Sequence, residues 1–282
     1  MPSTSSGRCD RAEVGWASKG NHLGSDSWAQ GLRVNYHWNW AIFWDVSPDG
    51  VHTYFQTLLL GTAWTLLTAA CAWIVAIALG SFVGVVRTMP FAWAVRFGDC
   101  FVELFRNIPL VVQMFLWYFV LPELVPHAFG TWLKQLPDAS FYTAVVALGL
   151  YMSARVAEQV RSGILSLPRG QRYAGLALGL TLSQTYAYVL LPMAYRIILP
   201  PLTSEFLNTI KNSSVALTIG LMELTARARS MQEFSFQVFE AFTAATVIYI
   251  AINVVTTFVM RALERRSAVV GYLGSKAQAA ER

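Results

Sequence analysis

Charge is what this chain has least of. Asp, Glu, Lys and Arg together make up 13% of its 282 residues, about half the share of a typical soluble domain. With 55% hydrophobic residues and a mean hydropathy of +0.45, an ordinary aqueous surface is excluded. Cysteine is nearly absent too. Cys9, Cys71 and Cys100 have no metal-ligand spacing, and two of them lie in or beside apolar segments, where they read as inert packing residues. Histidine is sparse: His37, His52 and His127 are scattered outside the apolar runs, so no Ser/His/Asp or metal-ligand cluster is set up at helical spacing. No catalytic residue and no metal site is expected. A Gly-x-x-x-x-Gly-Lys-[Ser/Thr] loop is missing as well, so the chain lacks the common phosphate cradle. The net charge of +5 is dispersed at the ends of apolar segments rather than clustered, which argues against nucleic acid as a partner.

What the chain has is apolar length. No charged residue occurs from Thr53 to Val86, nor from Ala241 to Met260. Each run is long enough to cross about 30 Å of hydrocarbon at about 1.5 Å per residue. Backbone polar groups in lipid must be satisfied internally, so these runs are helices. The sequence predicts an all-α membrane protein of five spans, Tyr54–Val86, Arg96–Leu121, Phe141–Ile164, Tyr195–Ile219 and Phe239–Leu263, the fourth interrupted by Pro200-Pro201. Residues 1–33 are Ser-, Gly-, Asp- and Arg-rich without an apolar core, and read as a disordered extension rather than a signal peptide. The text changes at Val34, which suggests a true start there; peptides from residues 1–33 in the mass spectrum of the native protein would refute that. Residues 34–53 form an aromatic interfacial segment, 54–266 the membrane domain and 267–282 a cytoplasmic tail. Arg87, Arg96, Arg161, Arg169, Arg172, Arg261, Arg265 and Arg266 all fall on one side if the N-terminus is outside. That side is then cytoplasmic, although Arg227 and Arg229 on the other side are a mild exception.

Residues 166–192 connect the third and fourth spans and are unlike a plain loop. Pro168 stands where a helix begins. Gly170, Tyr173, Ala174, Gly175, Ala177 and Gly179 follow, small residues that leave one helical face nearly bare for close approach. Gly179 is expected to end that helix, Thr181–Gln184 to open a second as a capping box, and Pro192 to close it. Two short helices joined at a glycine suit insertion into another protein's cleft; a connecting hairpin that only links two spans fits the same spacing.

This interval, with Glu103–Gln113 (ELFRNIPLVVQ), Gly163–Gln171 (GILSLPRGQ), Leu199-Pro200-Pro201 and Lys211-Asn212-Ser213-Ser214, resembles the inner-membrane permeases of binding-protein-dependent ABC importers for polar amino acids. Asn39-Trp40, Cys71–Ile74, Leu121–Leu124, Ala154–Val156 and Glu158–Arg161 look most like the branch that carries glutamate and aspartate. The likeness runs from about Trp38 to Arg266. It departs at Tyr173-Ala174-Gly175, where the family's signature begins Glu-Ala-Ala, which puts a salt bridge there in doubt but not the docking helix.

The resemblance implies a five-helix permease core in the bacterial inner membrane, N-terminus periplasmic and C-terminus cytoplasmic, working beside a sister permease and surrounded by lipid. Two ATPase subunits, which hold the ATP and Mg, would dock on the coupling interval, and a periplasmic binding protein would deliver the substrate. The chain itself would hold no cofactor.

Ionisable groups inside spans cost about 2.5–3.5 kcal/mol on insertion scales and so mark function. Arg155 and Glu158, three apart, share a helix face and can pair; Arg155 suits bidentate carboxylate binding, and it equally suits a structural network with Glu158 and Arg161. Lys211, with Asn212 and Ser213, follows the double proline, where a broken helix exposes backbone donors, though a lysine near a span end also snorkels. Arg106 precedes Pro109, which predicts a kink and an internal pair with Glu103 in preference to ligand contact. The other readings left open are a permease for glutamine, a basic amino acid or an opine, and, from another class, an ion-gradient-driven secondary transporter, against which five spans without a repeat count.

Overall fold

A computed structural model of the chain describes residues 36–267. Of the described residues, 39–267 belong to one compact unit and 36–38 to another, in which the rings of Tyr36 and Trp38 meet edge-on at 5.0 Å. The extension expected over 1–33, and the expected tail beyond Ser267, lie outside the described residues.

The described part of the larger unit is helical, and no strand occurs in it. It opens with a 3-10 turn, Trp40–Trp44. Next comes a tight turn in which the Asp49 carboxylate accepts from the backbone of His52 and Val51; those two bonds hold its pKa down to about 2. Thr53 then caps α1 (Tyr54–Val86). Its hydroxyl accepts from Gln56 N, and the Gln56 side chain accepts from Thr53 N in return. An uncharged helix of 33 residues follows because nothing in its sequence stops it before Arg87.

The core is α1 lying against α6 (Ala139–Leu165). The two approach closely because glycines stand at the contact. A Cβ on Gly80 would lie 2.6 Å from Ser153 O, and one on Gly84 2.7 Å from Val160 Cβ. Small residues let membrane helices pack backbone to backbone. Buried Ala72, Ala76, Ala147, Leu148 and Met152 fill the rest of this contact.

Between them in chain order comes the broken second span. Its first half, α2 (Ala92–Asn107), stops where Pro109 forces Ile108 into an extended backbone. The second half, α3 (Leu110–Phe115), starts after a bend of 100° and passes through a π turn, Leu116–Val120, into α4 (Leu121–Leu124). Then come α5 (His127–Gln135) and, after α6, the short helices α7 (Arg169–Ala177) and α8 (Leu182–Thr185). A second π turn, Tyr186–Leu190, leads into α9 (Leu191–Asn212); the chain ends its described course with α10 (Leu224–Ser235) and α11 (Val238–Ser267).

Two expectations about prolines are corrected. Pro192 does not close the short second helix; it stands in the first turn of α9. The chain passes it by widening to a π turn, with Leu191 N bonding to Tyr186 O, and Leu121-Pro122 repeats the arrangement with Leu121 N on Leu116 O. Widening the turn removes the clash between the proline ring and the preceding turn's carbonyl. Nor do Pro200 and Pro201 interrupt the fourth span, since α9 runs unbroken through both. Packing among neighbouring helices lets a membrane helix forgo two internal bonds.

Among the described residues three helices are long and apolar enough to cross a membrane: Tyr54–Val86, Ala139–Leu165 and Val238–Arg266. The bent pair Ala92–Asn107 and Leu110–Leu124 qualifies jointly as a fourth. The 22 residues of α9 would reach about 33 Å at about 1.5 Å per residue, but two prolines, Arg196 and Glu205 lower its apolarity.

Candidate functional site

Two places gather the residues that the sequence singles out. The first is the α7–α8 hairpin. Pro168 caps α7, and the helix ends as the glycine demands: Gly179 has φ +85°, Gly179 N bonds to Leu176 O at 3.0 Å, and Leu180 N to Gly175 O at 3.2 Å. That pair of bonds is a Schellman motif, satisfying two of the helix's last carbonyls. Thr181 and Gln184 then form the expected capping box, at 3.3 and 2.8 Å. The small residues divide between two jobs. Gly175 faces inward, where a Cβ would lie 2.8 Å from Thr185 Cγ2, so it sets the spacing of the hairpin. Gly170, Tyr173, Ala174, Ala177 and Gly179 are exposed, with Leu178 83% exposed at the tip. The hairpin is fastened to the turn after α1, since Tyr186 Oη donates to Thr88 O at 2.7 Å.

The second place is a cavity of about 250 Å³ lined by Arg106, Tyr151, Arg155, Glu158, Gln159 and Glu205. Arg155 and Glu158 do not pair with each other. Arg155 donates to Tyr151 Oη at 3.2 Å and stands 3.7 Å from Glu205 across on α9. Glu158 accepts from Arg87 at 2.6 Å and has Arg161 at 3.6 Å; Arg87 also holds Asp99 at 2.7 Å. Packing decides these partners: Arg87 emerges from the end of α1 over Gly98, where a Cβ would lie 2.5 Å from its Cγ, and so reaches α6. Neither does Arg106 pair with Glu103. It has no ion-pair partner among the described residues and instead lines the cavity. The cavity's two arginines and two carboxylates balance, but Glu158 is shared with Arg87 and Arg161 from outside the lining, so the four arginines of this network face three carboxylates, Asp99, Glu158 and Glu205. Positive charge is in surplus.

Lys211 is not brought to this cavity. It is exposed at the end of α9, in a separate groove with Tyr249, Asn253, Thr257 and Arg261 of α11. Regular helix ends beside it not because of the prolines but because the chain tightens to a 3-10 turn, Ser213–Ile219, closed by Gly220 at φ +86°. Asn212 is half-buried, and Ser213 is buried with its hydroxyl donating to Ile210 O at 2.8 Å.

Sequence reasoning missed two fully buried carboxylates. Glu223 caps α10 by accepting from Thr225 N and Ala226 N, both at 2.9 Å, and also accepts from Tyr249 Oη at 3.0 Å and Thr65 Oγ1 at 3.4 Å. Glu240, at the start of α11, accepts from Asn39 N at 2.7 Å. Position just ahead of an amphipathic helix was the one signal for Glu223; nothing marked Glu240.

This geometry, an exposed two-helix hairpin on a membrane bundle around a charged cavity, has known counterparts. Residues 76–269 match the family described as binding-protein-dependent transport system inner membrane component. The chain belongs to that family. It is a transport subunit of an ABC importer, not an enzyme. Among similar permeases, the glutamate/aspartate import permease protein GltJ of Escherichia coli K12 is 47% identical over 246 residues, spanning 86% of this chain and all of that protein. The glutamine transport system permease protein GlnP of the same strain is 33% identical over 232 residues, 82% of this chain and 99% of that one. A crystal structure of an amino acid ABC transporter with histidines superposes with a TM-score of 0.64 at 29% identity, covering 76% of this chain and 95% of its own. The inward-facing MetNI methionine transporter, at 20% identity and TM-score 0.63 over 79% of this chain and all of its own, shares the fold.

Proposed function

We propose that this permease carries glutamate and aspartate inward, and that the observation favouring an acidic substrate is the surplus positive charge of the Arg106–Arg155 cavity. An amino acid with a second carboxylate has a use for the guanidinium of Arg155, which Glu205 holds only at 3.7 Å. Similarity to a permease named for glutamate and aspartate import supports the same reading.

In this reading a periplasmic binding protein releases the amino acid from outside. The chain pairs with a sister permease, and its N-terminus is periplasmic and its C-terminus cytoplasmic. A dimer of ATPase subunits, holding ATP and Mg, grips the exposed faces of Gly170, Tyr173, Ala174, Ala177 and Gly179. Closure of that dimer draws the hairpins together, and the Tyr186–Thr88 bond passes the movement to the end of α1, whose Arg87 holds Glu158 at the cavity. Lys211, Asn212 and Ser213 would belong to the route only if the groove beside α11 opens onto it in the paired permease.

The test is uptake of labelled glutamate into proteoliposomes that hold this chain, its sister permease and the ATPase, with binding protein outside and ATP inside. ATP-dependent uptake competed by aspartate but not by arginine is the expected result. Uptake driven by an imposed ion gradient without ATP would overturn the mechanism, and ATP hydrolysis with uptake of glutamine alone would overturn the substrate.

A further inference from the structure

The break in the second span has to be held by something. Pro109 has no N–H to offer the carbonyl of Phe105 four residues back, and extended Ile108 leaves its own carbonyl outside any helix. A carbonyl shielded from water without a donor costs free energy, and Phe105 and Ile108 are both half-buried, so a bare break here would be destabilising. One side chain answers both groups. Gln113 Nε2 donates to Phe105 O at 2.9 Å and to Ile108 O at 3.0 Å. The amide orientation follows from these partners, because turning it over would set three acceptors against one another. Gln113 is 2% exposed, and its own N–H bonds to Pro109 O at 3.1 Å in the first turn of α3. A single residue of α3 therefore fastens the last turn of α2 across a 100° bend. Arg106 stands in that last turn and lines the cavity.

We propose that Gln113 is a positioning residue for transport: by holding the break it fixes Arg106 at the cavity. The proposal rests on the reading of that cavity as the substrate's route. A residue that merely stabilised the bundle would act independently of Arg106, whereas a positioning residue acts through it.

The test is a double-mutant comparison in the reconstituted importer, run with labelled glutamate and labelled glutamine. Gln113→Leu and Arg106→Gln are each expected to lower ATP-dependent uptake at least tenfold at equal protein in the membrane. Together they are expected to lower it no more than about twofold beyond the worse single variant, because groups acting as a unit are not additive. Losses that multiply to a hundredfold would overturn the proposal, as would unchanged uptake in Gln113→Leu. A second pair guards against a folding effect. Pro109→Ala restores an N–H for Phe105 O, so Gln113→Leu/Pro109→Ala should regain the thermal midpoint lost by Gln113→Leu yet remain deficient in uptake. Recovery of both would reduce Gln113 to a stabilising role. Because every value is a ratio to the wild type on either substrate, a wild type that takes glutamine and refuses glutamate displaces the acidic-substrate reading while the Gln113 ratios are still read.

Discussion

At the scale of single residues, charge inside the bundle is distributed by need. Glu223 shows the structural use. It is fully buried and its carboxylate is met by two backbone N–H groups and two hydroxyls, tying α10 to α1 and α11. Glu223→Leu orphans those donors and is expected to cost at least about 2 kcal/mol, read as a lower thermal midpoint of the purified complex. Glu223→Gln keeps the acceptor and should cost less. Burial, against the opposing hydrogen bonds, raises this carboxyl above its ordinary 4.5. A raised folded pKa means that the folded state holds the proton more tightly than the unfolded one. Its contribution is full below pH 4.5 and is lost as pH rises through the folded value. A pH series of thermal midpoints should show that decline in the wild type and not in Glu223→Gln. Arg155 is the residue proposed for the other use, contact with the substrate. Arg155→Gln should weaken uptake of glutamate more than that of glutamine, and equal losses would return it to a structural part with Glu205. Arg155, Glu158 and Lys211 were legible in the sequence because ionisable groups stand out in apolar text. Their partners were not, since Glu205 and Arg87 reach α6 from helices tens of residues away and only packing chooses between candidates.

At the scale of elements, the local signals were read where one residue type has one physical reason. The capping box at Thr181 and the glycine stop at Gly179 were visible because they depend on residues within a turn of one another, whereas the same pattern at Thr53–Gln56 was passed over. The passage of α9 through Pro200-Pro201 was not, because proline's cost is local whereas the neighbours that absorb it are distant. The hairpin supports a clean comparison. Gly179 has φ +85° and open space around it, so side chains are limited there by backbone strain alone. Asn and Asp, nearly equal in size, both visit that conformation. Gly179→Asp is expected to abolish uptake while the protein still inserts, and Gly179→Asn to retain most of it; the difference reads the effect of a charge on the face proposed for docking. The α1–α6 contact makes the opposite case. Gly80→Val would drive a side chain into Ser153 O and Val156, costing about 1–3 kcal/mol or more by overpacking. Less folded protein should be recovered than from Gly170→Ala, where a Cβ meets nothing within 4 Å.

At the scale of the molecule, the question is how many times the chain crosses. Basic residues predict five crossings, whereas length and apolarity admit up to four among the described residues, with α9 the difference. The structure offers an argument that does not count charges. The Tyr186–Thr88 bond places the α7–α8 hairpin at the same end of the bundle as the turn after α1, so one crossing separates both from Val51. If α9 crosses, Phe236 stands on Val51's side; if it does not, Phe236 stands with the hairpin. Val51, Leu178 and Phe236 are 78%, 83% and 79% exposed, so a cysteine at each would be reachable by reagent. In a background with Cys9, Cys71 and Cys100 replaced by alanine, a membrane-impermeant maleimide added to cells with a permeabilised outer membrane should label Val51→Cys and Phe236→Cys. Leu178→Cys should label only after the inner membrane is broken. Labelling of Phe236→Cys only after breakage would remove α9 from the spans and place α10 and the start of α11 in the cytoplasm. Arg227 and Arg229 would then cease to be exceptions, and the C-terminal arginines would become the exception in their place.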